Sequence, residues 1–537
     1  MRSIEGVGRL LSLLLLVAAL TAPAAYAQTF WTQDFDISEG DVSDTFTPLG
    51  NQRFASVDDS SNLYICFFDD RNKTASDDNF EIYFRRWTYN FGSPTITRVT
   101  NFYNPSKYPS MTLLNWGQAD TATANDSGRV YLVWQDARLF SVPLTGPVKS
   151  YTIFFRTYQS RGGVGFGPEL QVSPYDSLDA AAAPSIAVTP DHKAWMFWQK
   201  TTNGTDPNLY YAVYDAVTRT VGATNVLTND PASSTSVAAA ATRTGEVHVV
   251  WTDTRSGRNE IWWKQYTPGV GWGPDTQIVF SSGVASGASI CADYRGHLHL
   301  VWVDNRAGNS DIFYKEYIPG TGWDPTDVQL TVDTSGQTQP YVDADPNGNA
   351  YVVWTDQRNG STNPDIFYKD RKDGTWSSDF ELVSNLTDGG SNAIQRFPGL
   401  THDKFGTTYV TWEDERLPSS QGHNKEAFYK SGFFNVTAVP VKAPSPASRL
   451  LRSYPNPFNP QATIRFSLER DGVATLRAFD VQGRLVRTIF DGFVAAGSRE
   501  VRWDGRDDSG RELPSGTYFL RLTAGVDSQS KVVTLLK

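Results

Sequence analysis

Apolar residues in this chain alternate with polar ones in short bursts, and they hardly ever recur at helical spacing. The stretch from Ser289 to Val332 shows the pattern: "SICAD", "HLHLVW", "DIFYKEY" and "VQLTV" alternate with period two, and polar or glycine-rich turns separate them. Such alternation places successive side chains on opposite faces of a pleated strand, and Gly, Asn and Asp supply the hairpins between strands. The pattern therefore predicts units of four strands.

The unit recurs. Its second strand runs into "FFDDR" at Phe67, "WQDAR" at Trp134, "WQKTT" at Trp198, "WTDTR" at Trp251, "WVDNR" at Trp302, "WTDQR" at Trp354 and "WEDER" at Trp412. Successive starts lie 51 to 67 residues apart, the size of a four-stranded propeller blade with variable loops. The seventh unit stops after "EAFYK" without a fourth strand, and the missing piece stands at the other end of the chain, where "WTQDFDIS" (Trp31 to Ser38) matches "WSSDFELVS" (Trp376 to Ser384). Closing the ring in this way removes open sheet edges. The fold predicted is all-β: a seven-bladed β-propeller over residues 28–437 closed by an N-terminal strand, a linker at 438–450, and a small immunoglobulin-like sandwich at 451–537.

Composition changes this picture little. With 39% hydrophobic residues and 537 positions, the chain can bury a large core and more than one domain. Arg2 and Arg9 precede the apolar run Leu10 to Leu20, and "AYAQ" (Ala25 to Gln28) offers the small residues of a cleavage site, so residues 1–27 read as a signal peptide. No later segment is long and apolar enough to span a bilayer as a helix. Cys66 and Cys291 each sit in an apolar strand pattern and are expected to be buried free thiols. A net charge of −10 without a Lys/Arg stripe argues against a nucleic-acid partner.

With Asp-containing turns, Trp-rich second strands and this ring closure, the repeats resemble those of sialidase-like propellers of exported bacterial proteins. In true sialidases the Asp-box lies between the third and fourth strands, whereas the look-alikes here, "THDKFGTTY" (Thr401 to Tyr409) and "CADYRGHLH" (Cys291 to His299), fall between the first and second. In the tail, "YPNPFNPQATIRFSL" (Tyr454 to Leu468), "AFDVQGRLVRTI" and "WDGRDDSGRELPSGTYFLRL" (Trp503 to Leu522) resemble the FlgD-type Ig-like domain that serves type IX secretion cargo as a C-terminal sorting module. That resemblance implies delivery by the outer-membrane secretion machinery and a secreted or surface-anchored bacterial protein.

Six units carry an Asp-x-Arg pair: Asp69 with Arg71, Asp136 with Arg138, Asp253 with Arg255, Asp304 with Arg306, Asp356 with Arg358, and Asp414 with Arg416. Catalysis needs a group once, so a pair written into almost every unit reads as a structural contact, the Asp capping its loop and the Arg forking onto a carboxylate or carbonyls. The third unit, with Lys200 and Thr202, lacks it. A sialidase would need three arginines, a Tyr nucleophile with a Glu, and an acid/base Asp, and the sequence marks no convergent set. "DADPNG" (Asp343 to Gly348) opens like a calcium loop, but Trp354 stands where its last carboxylate belongs, which favours a plain turn. His297 and His299 have no third ligand nearby, so neither a metal nor any other cofactor is expected.

Loop lengths break the symmetry. The loops after Arg71, Arg138 and Arg416 are long, as are several connections between these units, and they gather on one sector of a closed ring. Tyr103, Tyr108 and Phe140 are the candidate apolar platforms there, with Arg71, Arg138 and Arg416 beneath them. The function expected is binding of an extracellular glycan or surface protein; the alternatives are a sialidase-like exo-glycoside hydrolase and a structural adhesion component.

Overall fold

A computed structural model describes residues 29–31, 34–38, 45–47, 53–58, 62–71, 79–87, 96–102, 104–113, 129–139, 150–160, 165–175, 180–202, 206–383, 394–403, 407–416, 425–434, 448–468, 472–480, 485–495, 497–524 and 527–536. Every regular element among them is a strand. The signal-peptide reading of 1–27, most of the segment read as a linker, and the long loops after Arg71, Arg138 and Arg416 lie outside the described residues. The chain divides into two compact units, residues 32–431 and residues 432–537 with the strand Thr29–Trp31.

The larger unit is a β-propeller built of sheets with one order. In a representative sheet, an inner strand Ala285–Ala292 pairs with Leu298–Asp304, which pairs with Asp311–Ile318, and the last position is shared by the short strands Gly322–Trp323 and Val328–Gln329. Seven sheets of this kind occur among the described residues. Their inner strands, Ala55–Val57, Ser106–Leu113, Ala180–Val188, Ser234–Ala241, Ala285–Ala292, Gln337–Ala344 and Gln395–His402, touch in chain order, and Gln395–His402 touches Ala55–Val57. In the sheet of Gln395–His402 the outer position is taken by Phe35–Asp36, which pairs with Phe428 and Tyr429.

The repeated tryptophan makes the core. Trp134, Trp198, Trp251, Trp302, Trp354 and Trp412 are fully buried, and Phe67 takes the same place in the sheet of Leu63–Asp69. Between sheets, a third-strand cation reaches back to the preceding sheet: Lys264 donates to the Leu227 carbonyl (3.0 Å), Lys315 to Ile278 (2.7 Å), Lys369 to Leu330 (2.7 Å) and Lys430 to Leu382 (3.1 Å). Cys66 and Cys291 are free and buried.

Six inner strands share a bulge that the alternation pattern does not announce. Register slips by one residue two positions after each strand's motif-paired residue, and the slipped residue takes a positive φ: Tyr108 (52°), Ala183 (51°), Ser236 (54°), Gln339 (54°) and Phe397 (51°), with Gly287 (63°) the only glycine. A non-glycine residue in the left-handed region costs on the order of 1 kcal/mol, and the neighbouring sheet offsets it. Gln135 accepts from the Ala183 amide (3.0 Å), Gln199 from Ser236 (3.2 Å) and Gln339 from Phe397 (2.9 Å).

The smaller unit contains a three-stranded sheet, with Ser448–Tyr454, Ala462–Leu468 and Gly497–Trp503 in that order, and a four-stranded sheet, with Leu485–Val494, Gly472–Phe479, Gly516–Ala524 and Asp527–Leu535. Its core holds Trp503, Phe466, Leu476 and Leu520. Its first strand begins at Ser448, inside the stretch read as linker.

Candidate functional site

The Asp-x-Arg pairs stand at one end of the second strands, opposite the first residues of the inner strands: Ser106 pairs with Asp136, Ser234 with Asp253, and Gln395 with Asp414. Each motif aspartate is fully buried. Asp356 is typical: it accepts from the Trp354 indole (2.8 Å), from the Arg358 amide (2.9 Å), and from the Arg358 guanidinium in a two-point fork (3.0 and 2.8 Å). The guanidinium lies 4.2 Å from the centre of the Phe367 ring and bonds a second carboxylate, Asp379, at 2.9 Å. Asp275 serves Arg255 in the same way (2.9 Å) and Asp327 serves Arg306 (2.6 Å).

Arg71, Arg138 and Arg416 belong to this network. Arg71 forks onto Asp69 (3.0 and 2.8 Å) and lies over Tyr83. Arg138 is held by Asp136 and Glu169. Arg416 is held by Asp414 (2.6 Å) and Asp34 (2.7 Å). These guanidiniums, expected to lie beneath the apolar platforms of a binding site, are each bonded to the chain's own carboxylates. In the third sheet, where Lys200 replaces the aspartate, the Trp198 indole N–H has no hydrogen-bond partner among the described residues.

Of the expected platforms, Tyr103 and Phe140 lie outside the described residues. Tyr108 is the half-buried residue of a bulge, edge-on to Phe68 at 5.2 Å, and is packed into the core rather than presented. Phe102, next to Tyr103 in sequence, is the better platform: it is 41% exposed, and Arg138 lies 3.6 Å from its ring centre. Tyr175, Phe280, Val284 and Val332 are also exposed, and like Phe102 they lie on connections from a fourth strand to the next inner strand. Those connections meet the inner strands at the motif end, so all five residues decorate one face. Sequence reading passed them over because they fall in the irregular connections, where no period-two alternation says which apolar residue faces water.

Glu413 sits beside Asp414 and bonds Arg396 (2.7 Å). Burial pushes its carboxyl up to about 7 in spite of that arginine. An acid whose folded value is raised keeps its proton longer when folded, so it costs stability progressively as pH rises from about 4.5 to about 7. Glu413→Gln should therefore flatten that part of the urea-midpoint profile, with a difference approaching ~3 kcal/mol between pH 4.5 and pH 8; parallel profiles for the two proteins would show that Glu413 titrates normally.

A cavity lies on the propeller axis at the opposite face. Inner-strand ends from across the ring border it, among them Leu113, Val188, Ala241, Ala292, Ala344 and His402. Arg53 and Asp343 face each other there at 3.6 Å, and His402 Nδ1 stands 3.6 Å from Asp343 Oδ2. Burial works to lower the pKa of the Arg53 guanidinium, but the neighbouring Tyr341 and Asp343 raise it. At the rim, Arg243 lies over the Tyr294 ring at 3.8 Å. Among the described residues there is no group of three or more metal-ligating side chains and no helix long and apolar enough to cross a membrane.

With this geometry in hand, comparison places the tail. Residues 458–528 match the FlgD Ig-like domain family. No curated protein matches the chain. Among solved structures, a PL25 ulvan lyase, a polysaccharide lyase, is 10% identical over 74% of this chain and 95% of its own (TM-score 0.48). The intramolecular trans-sialidase of Ruminococcus gnavus is 11% identical over 77% and 99% (TM-score 0.38). PorZ, a surface component of the type IX secretion system of Porphyromonas gingivalis, is 13% identical over 92% and 60% (TM-score 0.36).

Proposed function

We propose that this is an exported β-propeller that binds an extracellular glycan or surface protein, and that its FlgD-type tail hands it to the outer-membrane secretion machinery. The observation that carries the binding role is the set of exposed apolar side chains on the motif face. Phe280 is 71% and Val332 81% exposed, although the apolar residues just before them, Ile278 and Val279 in one connection and Leu330 in the other, are buried. Apolar groups left in water beside bound, structural charges are what a recognition surface offers, since aromatic rings stack on sugar faces and anchor protein interfaces alike. The Asp-x-Arg pairs supply the rigid frame beneath and take no part in chemistry. The match of residues 458–528 supports the delivery role.

A glycan array probed with the full chain tests the reading. Binding is expected to fall about tenfold or more in Phe102→Ser and in Phe280→Ser/Val332→Ser, with the unfolding midpoint nearly unchanged. Binding that ignores both variants would remove this face from consideration. A folded chain that binds no glycan would turn the reading toward a protein partner, which pull-down with the same variants as controls would then have to reveal.

A further inference from the structure

The axial cavity on the opposite face holds polar groups that the fold leaves unsatisfied. His402 is 1% exposed and lines the cavity, its ring 4.0 Å from that of Tyr351, and neither ring nitrogen has a hydrogen-bond partner among the described residues. Asp293 is 4% exposed and lines the same cavity. Its Oδ1 caps the turn through the Arg295 and His297 amides (both 2.8 Å), while its Oδ2 is unpartnered, with His299 Nε2 3.8 Å away. A buried polar group without a partner costs about 1–3 kcal/mol, so two of them lining one cavity call for something that fills it.

Charge and spacing narrow the occupant. Arg53 is balanced by Asp343, and Arg243 shares the lining with Asp293 and Asp345, so two arginines against three aspartates nearly balance and give an anion no net attraction. Facing groups stand 3.6 to 3.8 Å apart, just beyond direct hydrogen bonding. A hydroxyl set beside such a pair, on the cavity side and within reach of both groups, donates to the carboxylate while it accepts from a guanidinium or an imidazole. A ring of hydroxyls needs several such places, and a cavity of about 110 Å³, open at its mouth, limits the occupant to a single ring. Small residues at Ala239, Ala241, Ala292 and Ala344 keep the walls back.

We propose that this cavity binds one neutral sugar unit, its hydroxyls held by His402, Asp293 and the Arg53–Asp343 pair, with Arg243 and Tyr294 at the entrance. The site is separate from the motif face and stands or falls independently of it.

Ligand-observed NMR and calorimetry on the full chain, with D-glucose, D-galactose, L-rhamnose and N-acetyl-D-glucosamine as probes, test the proposal. At least one sugar should bind, and Asp343→Asn and His402→Ala should weaken it by about tenfold or more, the loss of one or two buried hydrogen bonds. Ala241→Leu narrows the cavity without removing a polar group, so it should abolish binding in a protein that still unfolds cooperatively, which covers the case where His402→Ala does not fold. Phe280→Ser/Val332→Ser should leave this binding unchanged. The proposal fails if no sugar binds, which would mean that water alone satisfies His402 and Asp293. It fails equally if binding survives Ala241→Leu, or if it is lost in Phe280→Ser/Val332→Ser instead, a result that would place the sugar on the motif face and support the function proposed for that face.

Discussion

A chain begun at Glu39, expressed without its first 38 residues, should lose cooperative unfolding and self-associate, and Asp34→Ala alone should lower the stability by about 3 kcal/mol. The reason lies in what those residues do in the sheet of Gln395–His402. Phe35 and Asp36 pair with Tyr429 and Phe428, the Ile37 amide donates to the Ala427 carbonyl (2.7 Å), and the Ile37 side chain is fully buried. Asp34 bonds Arg416 (2.7 Å) and Lys430 (2.8 Å), which is the station Asp379 holds between Arg358 and Lys369, or Asp327 between Arg306 and Lys315. Without the segment, the strand Glu426–Phe434 becomes an open edge, and open edges recruit other chains. Size-exclusion chromatography and urea unfolding check both expectations. A monomeric truncated chain with an unchanged midpoint would show that the N-terminal segment does not complete this sheet.

The second large effect is expected at the repeated aspartates. Asp356→Ala should cost roughly 3–5 kcal/mol, because it leaves a buried indole N–H and a largely buried guanidinium without their main partner. Arg358→Ala should cost less, since Asp356 then keeps the Trp354 indole and a backbone amide. Asp253→Ala and Asp304→Ala should behave alike, as their pairs are built the same way. Urea midpoints for these variants, set beside glycan binding by whatever fraction stays folded, separate frame from site. A catalytic or ligand-binding aspartate would lose binding with little change in midpoint, and that outcome would overturn the structural assignment. The third sheet shows what the fold tolerates: with Lys200 in place of the aspartate it keeps its strand order, and its Trp198 indole has no partner among the described residues.

Much of this architecture was legible in the chain because it is written repeatedly. The Trp-x-Asp-x-Arg phrase, its spacing, and the likeness of Trp31–Ser38 to Trp376–Ser384 specify a strand unit and the place of its missing piece, since period-two alternation is a local property of strands and a repeated polar pair in an apolar setting must find a repeated partner. Even the structural reading of the motif needed only the count of its occurrences. The partners of the motif did not follow from sequence. Asp275, Asp327, Asp379 and Asp34 lie about twenty residues from their arginines or, for Asp34, at the far end of the chain, and only strand pairing brings them together.

The bulges and the axial cavity belong wholly to the tertiary structure. A positive φ at Tyr108, Ser236 or Phe397 leaves no mark in composition, because it is stabilised by an amide-to-glutamine bond or by packing across to another sheet. That is why Tyr108 read as a free aromatic platform and proved to be part of the frame. His402, Asp293, Arg53 and Asp343 are scattered over some 350 residues as single polar positions, unremarkable in sequence, and they share a cavity because inner strands converge on one axis. Local periodicity determined the strands and the repeat; convergence of distant strands decided which polar groups would be left facing one another without partners.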